Sequence, residues 1–74
     1  MRRLRVLSGR EVCDILARNG FTQVRQRGSH WVMQKRTEGS TVTTPVPNHG
    51  ELRTGTLQSI IRQSRLLRSL FEAD

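Results

Sequence analysis

Gly28 and Ser29 stand between two apolar-patterned stretches, and this pair restricts the fold more than any other stretch of the chain. Glycine tolerates positive φ and serine hydrogen-bonds nearby backbone. The two therefore make a tight turn that folds Phe21 to Arg27 back on the run beginning at His30, as a hairpin. Phe21 and Val24 are the apolar anchors of the first strand, three residues apart and so out of step with strict alternation; Trp31, Val32 and Met33 anchor the second. Glu38-Gly39-Ser40 turns the chain again, and Thr41 to Val46, rich in β-branched residues, forms a third strand antiparallel to the second. Pro45 and Pro47 lack amide donors, which puts the end of that strand at an edge or exit of the sheet.

Helices flank this hairpin pair. Ser8 followed by Glu11 is a capping-box pattern, with Leu7 and Val12 spaced as a hydrophobic staple, so a helix is expected from Gly9 to Asn19. Val12, Ile15 and Leu16 share one face, with Cys13 and Ala17 beside them, and Gly20 ends the helix as a left-handed cap. Thr54-Gly55-Thr56 introduces a second helix whose stripe is Leu57, Ile60 and Ile61. Leu66, Leu67, Leu70 and Phe71 keep helical spacing beyond it; a break near Ser64 and a short last helix is the expectation, an unbroken helix the alternative. At the other end Arg2, Arg3 and Arg5 alternate with Leu4, as a β-like lead-in, a basic arm or, by default, a solvated terminus. The order is α-β-β-β-α. It predicts an α+β fold over residues 1–74 as a single domain, a three-stranded antiparallel sheet with the helices on one face.

Thirteen Lys and Arg against six Asp and Glu give a net charge of +7, which favours polyanions, nucleic acid first among them. No apolar run approaches a membrane span and no apolar core follows the N-terminal charges, so a cytoplasmic protein without membrane contact is expected. A single cysteine makes no internal disulfide, and two histidines do not supply a zinc cluster; neither a metal nor a cofactor is expected. Cys13 reads as a small core residue.

His30 is the residue with chemical potential. Imidazole is the one side chain whose ordinary pKa lies near neutrality, and Arg25, Arg27, Lys35 and Arg36 flank it within a few residues. An anion drawn to this hairpin meets a group that moves protons, with Gly28 and Ser29 as the turn that aims it. Ser29 has no orienting acid for a hydrolase triad and serves the turn. Trp31 projects to the face opposite His30 and, as the only tryptophan of a small domain, is expected under the helices rather than as a base-stacking platform. His49, in the Pro47-Asn48-His49-Gly50 turn, is the candidate accessory group, although a histidine in such a loop more often serves the turn.

The Ser8-to-Gly20 helix, the Gly28-Ser29-His30 hairpin, the Val42-to-Pro47 strand ending in Pro47-Asn48-His49-Gly50, and Gly55-Thr56-Leu57 leading into Ser59-Ile60-Ile61-Arg62-Gln63 together resemble the HicA (YcfA-like) toxin family. The resemblance spans nearly the whole chain. It implies a double-stranded-RNA-binding-domain-like fold, cleavage of messenger RNA, a HicB-type antitoxin that neutralises the toxin, and His30 as the catalytic histidine. Members of the family commonly follow the second helix with a glycine turn and a Ser or Thr capping a short last helix. This chain has Arg65 and Leu67 at those places.

The residues support such chemistry by themselves. Cleaving RNA without a metal requires taking the proton of a ribose 2′-hydroxyl, stabilising charge on the phosphorane and protonating the leaving oxygen. One imidazole serves the first or last need and Arg25, Arg27, Lys35 or Arg36 the middle one. Three classes of function follow: a ribonuclease toxin whose antitoxin covers His30, a non-catalytic RNA-binding module on the same basic sheet, and an interaction domain for an acidic protein.

Overall fold

The computed structural model describes residues 2–73. Its elements follow the expected α+β order: α1 (Gly9–Arg18), β1 (Thr22–Arg27), β2 (His30–Thr37), β3 (Ser40–Pro47) and α2 (Thr54–Ser64), then a 3-10 turn over Arg68–Phe71. Both halves of the capping box form at the start of α1. The Glu11 amide donates to Ser8 Oγ at 3.0 Å and the Ser8 amide to the Glu11 carboxylate at 2.9 Å. The bond from the Ser8 backbone amide, with its side chain second, holds the Glu11 carboxyl below the usual glutamate range. At the far end Gly20 takes φ 95°, the Gly20 amide donates to the Ala17 carbonyl at 3.3 Å, and the Phe21 amide to the Leu16 carbonyl at 3.0 Å. This is a Schellman close, and it sends Phe21 back into the core beside Leu16. Phe21 is thus buried as the residue that ends the helix, and the strand begins one position later than expected.

The sheet order is β1-β2-β3, antiparallel throughout. β2 and β3 pair without interruption from His30 opposite Pro47 to Thr37 opposite Ser40. β1 pairs with β2 less evenly. Gln23 lies opposite Met33 and Arg25 opposite Val32, so Val24 is one residue too many, a β-bulge. Val24 is 46% exposed, which corrects its expected role as an apolar anchor.

Trp31, Met33, Val42 and Val46 send their side chains to one face of the sheet, where they meet Leu7 from just before the first helix, Val12 and Leu16 from that helix, and Leu57 and Ile60 from the second. Burial of apolar surface of this kind is worth roughly 1.5–3 kcal/mol for each large side chain and is the main force closing so small a domain. One polar residue shares the layer: Thr44 is fully buried and its hydroxyl donates to Gln63 Oε1 at 2.8 Å. Pro45 and Pro47 do lie on an edge strand, β3, where a missing donor costs no ladder bond.

α2 ends at Ser64, as the expected break required. The Ser64 hydroxyl donates to the Ile61 carbonyl at 2.8 Å and accepts from the Leu66 amide at 3.2 Å. Arg65 then adopts φ 61°, the left-handed region where a glycine is at ease. Leu67 stands at the cap of the 3-10 turn with no side-chain capping bond. The N-terminal lead-in is the β-like alternative and not a solvated tail. Leu4 bridges to Glu72, the Arg5 amide donates to the Phe71 carbonyl at 2.8 Å, and the Ala73 amide to the Arg3 carbonyl at 2.9 Å. Leu4 packs on the core and fixes this pairing, while the side chains of Arg2, Arg3 and Arg5 stay exposed.

Candidate active site

Because strand side chains alternate, the face away from the helices receives His30, Val32 and Gln34 from β2. Directly opposite residues share a face, which adds Arg27 and Pro47 to the row of His30, and Arg25 and Pro45 to the row of Val32. Together Arg25, Arg27, His30, Val32, Thr43 and Pro45 line a concavity of about 470 Å³. The turn at Gly28-Ser29 sets Arg27 opposite His30 and so Arg25 opposite Val32, which turns both arginines to this face. Strict alternation would carry Gln23 to the same face; the extra residue at Val24 reverses the parity there and leaves Gln23 opposite Met33 on the helix side. No acidic side chain lines this concavity, so its cations are uncompensated within it.

The turn holds His30 as expected. Gly28 has φ 55° at the first central position, and Ser29 is not among the described residues with positive φ, the pattern of a II′ hairpin turn. A Cβ on Gly28 would meet nothing, so the backbone angle and not crowding calls for glycine. The Ser29 carbonyl accepts from the Asn48 amide at 2.7 Å, which ties the loop after β3 to the turn. The His49 carbonyl in turn accepts from the Gly9 amide at 2.9 Å, and a Cβ on Gly9 would run into the Pro47 carbonyl. The start of α1 therefore sits against the end of β3, and His30 stands beside this junction. His49 is exposed and two residues beyond Pro47, the partner of His30, but does not line the concavity.

Two flanking cations fall elsewhere. Lys35 shares the helix face with Met33, and its side chain lies along the end of α1, with its Cε 3.0 Å from where a Cβ on Gly20 would stand. Proximity in sequence misled here, because odd and even positions of a strand point apart. Arg36 has the parity of His30 but is six residues along β2, about 20 Å away at roughly 3.3 Å per residue, too far to share one phosphate with it. Sequence reasoning in turn missed Val32, Thr43 and Pro45. The signal for Val32 was its two-residue step from His30.

A second concavity, about 400 Å³, lies on the helix side between α1 and β1 and includes Arg10, Cys13, Trp31 and Met33. Burial, with Asp14 adding to it, pushes the Cys13 thiol up to about 11, so it is protonated at neutral pH and no nucleophile. The Arg10 guanidinium sits 5.5 Å from the centre of the Trp31 ring, a cation–π contact that covers the indole. Trp31 is thus a core residue, as expected. Among the described residues, no three His, Cys, Asp or Glu come together to hold a metal ion, and no helix is long and apolar enough to cross a membrane.

Fold and site together define a small basic α+β domain with one sheet face packed by helices and the other presenting a histidine beside two arginines of the neighbouring strand. Residues 9–66 of the 74 match the family described as HicA toxin of bacterial toxin-antitoxin systems, and the chain belongs to that family. It is accordingly the toxin of a toxin–antitoxin system, with an antitoxin as its partner. The match runs from the first residue of α1 to just past α2 and includes every residue of the concavity. No curated protein matches the chain.

Proposed function

We propose that this toxin is a metal-independent endoribonuclease of the mRNA-interferase type, acting on messenger RNA in the cytoplasm with His30 as its proton carrier. The observation that carries the reading is the shared concavity of His30, Arg25 and Arg27 on the open sheet face of a HicA-family chain. In the reaction a ribose 2′-oxygen attacks the adjacent phosphorus and the bond from phosphorus to the 5′-oxygen breaks. A 2′,3′-cyclic phosphate and a 5′-hydroxyl result. His30 either takes the 2′-hydroxyl proton or gives one to the departing 5′-oxygen, the other transfer going through water. Arg25 and Arg27 hold the charge that grows on the phosphorane oxygens, where a guanidinium offers several donors in a fixed fork. Because the nucleophile belongs to the ribose, DNA is not a substrate.

The antitoxin in this reading is of the HicB type and seats on the open face, covering His30 and competing with RNA for the arginines. The test is cleavage of a messenger RNA in excess chelator by the wild type and by folded His30→Ala. Loss of cutting in the variant, with 5′-hydroxyl ends in the wild-type products, supports the reading. RNA that is bound with steep salt dependence but never cut would make the protein the non-catalytic RNA-binding module instead.

A further inference from the structure

Val32 is buried on the open face although the core beneath the helices does not cover it; Pro47, opposite His30 at the end of β3, is the other buried residue of this face. Val32 is only 5% exposed, yet it lies on the side of the sheet away from the helices and outside the hydrophobic cluster beneath them. Its cover comes from its own face: Arg25 opposite it on β1, Pro45 opposite it on β3, and His30 two positions back along β2. Pro45 is exposed and stands in the same row, so an apolar strip of Val32 and Pro45, with Pro47 in the next row, crosses this face beside the proposed proton carrier, with both arginines along its β1 side. A solvated sheet face has no need of such a strip.

We propose that Val32 and Pro45 form the floor of a subsite for one unpaired nucleobase of the RNA strand, with Arg25 and Arg27 at its rim holding the phosphates on either side. This rests on the ribonuclease reading and deepens it by naming what the site grips besides the backbone. The chemistry of the lining sets the ligand. A base presents a flat apolar face and is joined to phosphate, which matches an aliphatic floor beside two uncompensated guanidiniums. The size agrees as well, since about 470 Å³ is toward the lower end of the roughly 300–1,000 Å³ found for small-ligand sites. A base inside a duplex keeps both faces stacked and has none to offer the floor. The subsite therefore selects single-stranded RNA, although the fold has the α-β-β-β-α order of double-strand binders.

The test uses non-cleavable 2′-O-methyl tetranucleotides on the intact chain, read by fluorescence anisotropy, so that its outcome does not depend on whether the protein cuts. An oligouridylate is compared with a fully abasic strand of the same length and charge. The base-bearing strand is expected to bind about tenfold more tightly, the lower part of the range for stacking one base. Val32→Thr with Pro45→Ser keeps strand geometry and every charge, and should shrink that difference to less than about twofold while the variant stays folded by circular dichroism. Equal affinities in the wild type, a difference that survives in the double variant, or a duplex bound as tightly as the single strand would each overturn the subsite. Absence of cleavage by the wild type, by contrast, would remove the ribonuclease reading and leave this measurement standing.

Discussion

The two faces of the sheet are built from the same three strands, yet one is a core and the other a site, and His30 and Trp31 are adjacent residues on opposite sides of that division. Trp31 is 8% exposed, among Met33, Val42 and the helices, while His30 is exposed between Arg27 and Pro47. The helix face is selected by volume, where each side chain fills space against several others. The open face instead sets charged and polar groups, His30, Arg25 and Arg27, beside a small apolar floor. In so small a domain this separation lets the site carry uncompensated cations without placing them in the core.

The sharpest way to break the comparison is to truncate both neighbours. His30→Ala is expected to lower RNA cleavage by roughly 10²- to 10⁴-fold, the range for losing a proton-transfer group, with the melting temperature nearly unchanged. Trp31→Ala should cost roughly 3–5 kcal/mol, enough to unfold much of the population, measured by urea denaturation. If both variants lost stability alike, His30 would belong to the packing and not to the site. A smaller effect probes the bulge. Inserting one alanine between Arg25 and Gln26 turns Arg25 to the helix side and should lower cleavage about tenfold. Deleting Val24 merely evens the ladder with Arg25 still opposite Val32, and should change cleavage no more than roughly twofold. The reverse order of these two effects would show that the bulge has another task.

The cations sharpen the comparison further. Arg27→Ala should reduce the slope of log affinity against log salt by about 1 when RNA binding is followed, whereas Lys35→Ala, on the helix face, should leave it near the wild-type value. The smallest effect lies away from both faces. Arg65 is the described non-glycine residue with positive φ, so Arg65→Gly should stabilise the fold by about 1 kcal/mol in urea denaturation, with cleavage unaltered.

Much of the fold was legible because its signals are short-range. Ser8 with Glu11, Gly20, and Gly28 with Ser29 act within about four residues of chain, and each formed the cap or turn its chemistry predicts. The break after Ser64 was legible for the same reason. Arg65 and Leu67, where the family commonly has glycine and a hydroxyl cap, mark an end of α2 that is closed by Ser64 and by packing instead.

The site was legible in part. His30, Gly28 and Ser29 were read from the sequence, and so were Arg25 and Arg27, but by nearness to His30 and not by the parity that in fact brings them to it. The same nearness included Lys35 and Arg36, which the sheet sends to the other face and to the far end of the strand.

What the sequence alone determined is therefore the order of elements, their caps and the turn that presents His30, since these depend on backbone preferences and bonds between near neighbours. Only the tertiary structure decided that Val24 bulges, that Leu4 pairs with Glu72 and that Val32 and Pro45 meet across β2 and β3. The physical reason is that a strand's faces are assigned by what its partner strands and the helices bury. Phe21, drawn into the core by the close of α1, and the turn at Gly28, which pairs Arg27 with His30, impose incompatible parities on six residues of β1, and the extra residue at Val24 reconciles them.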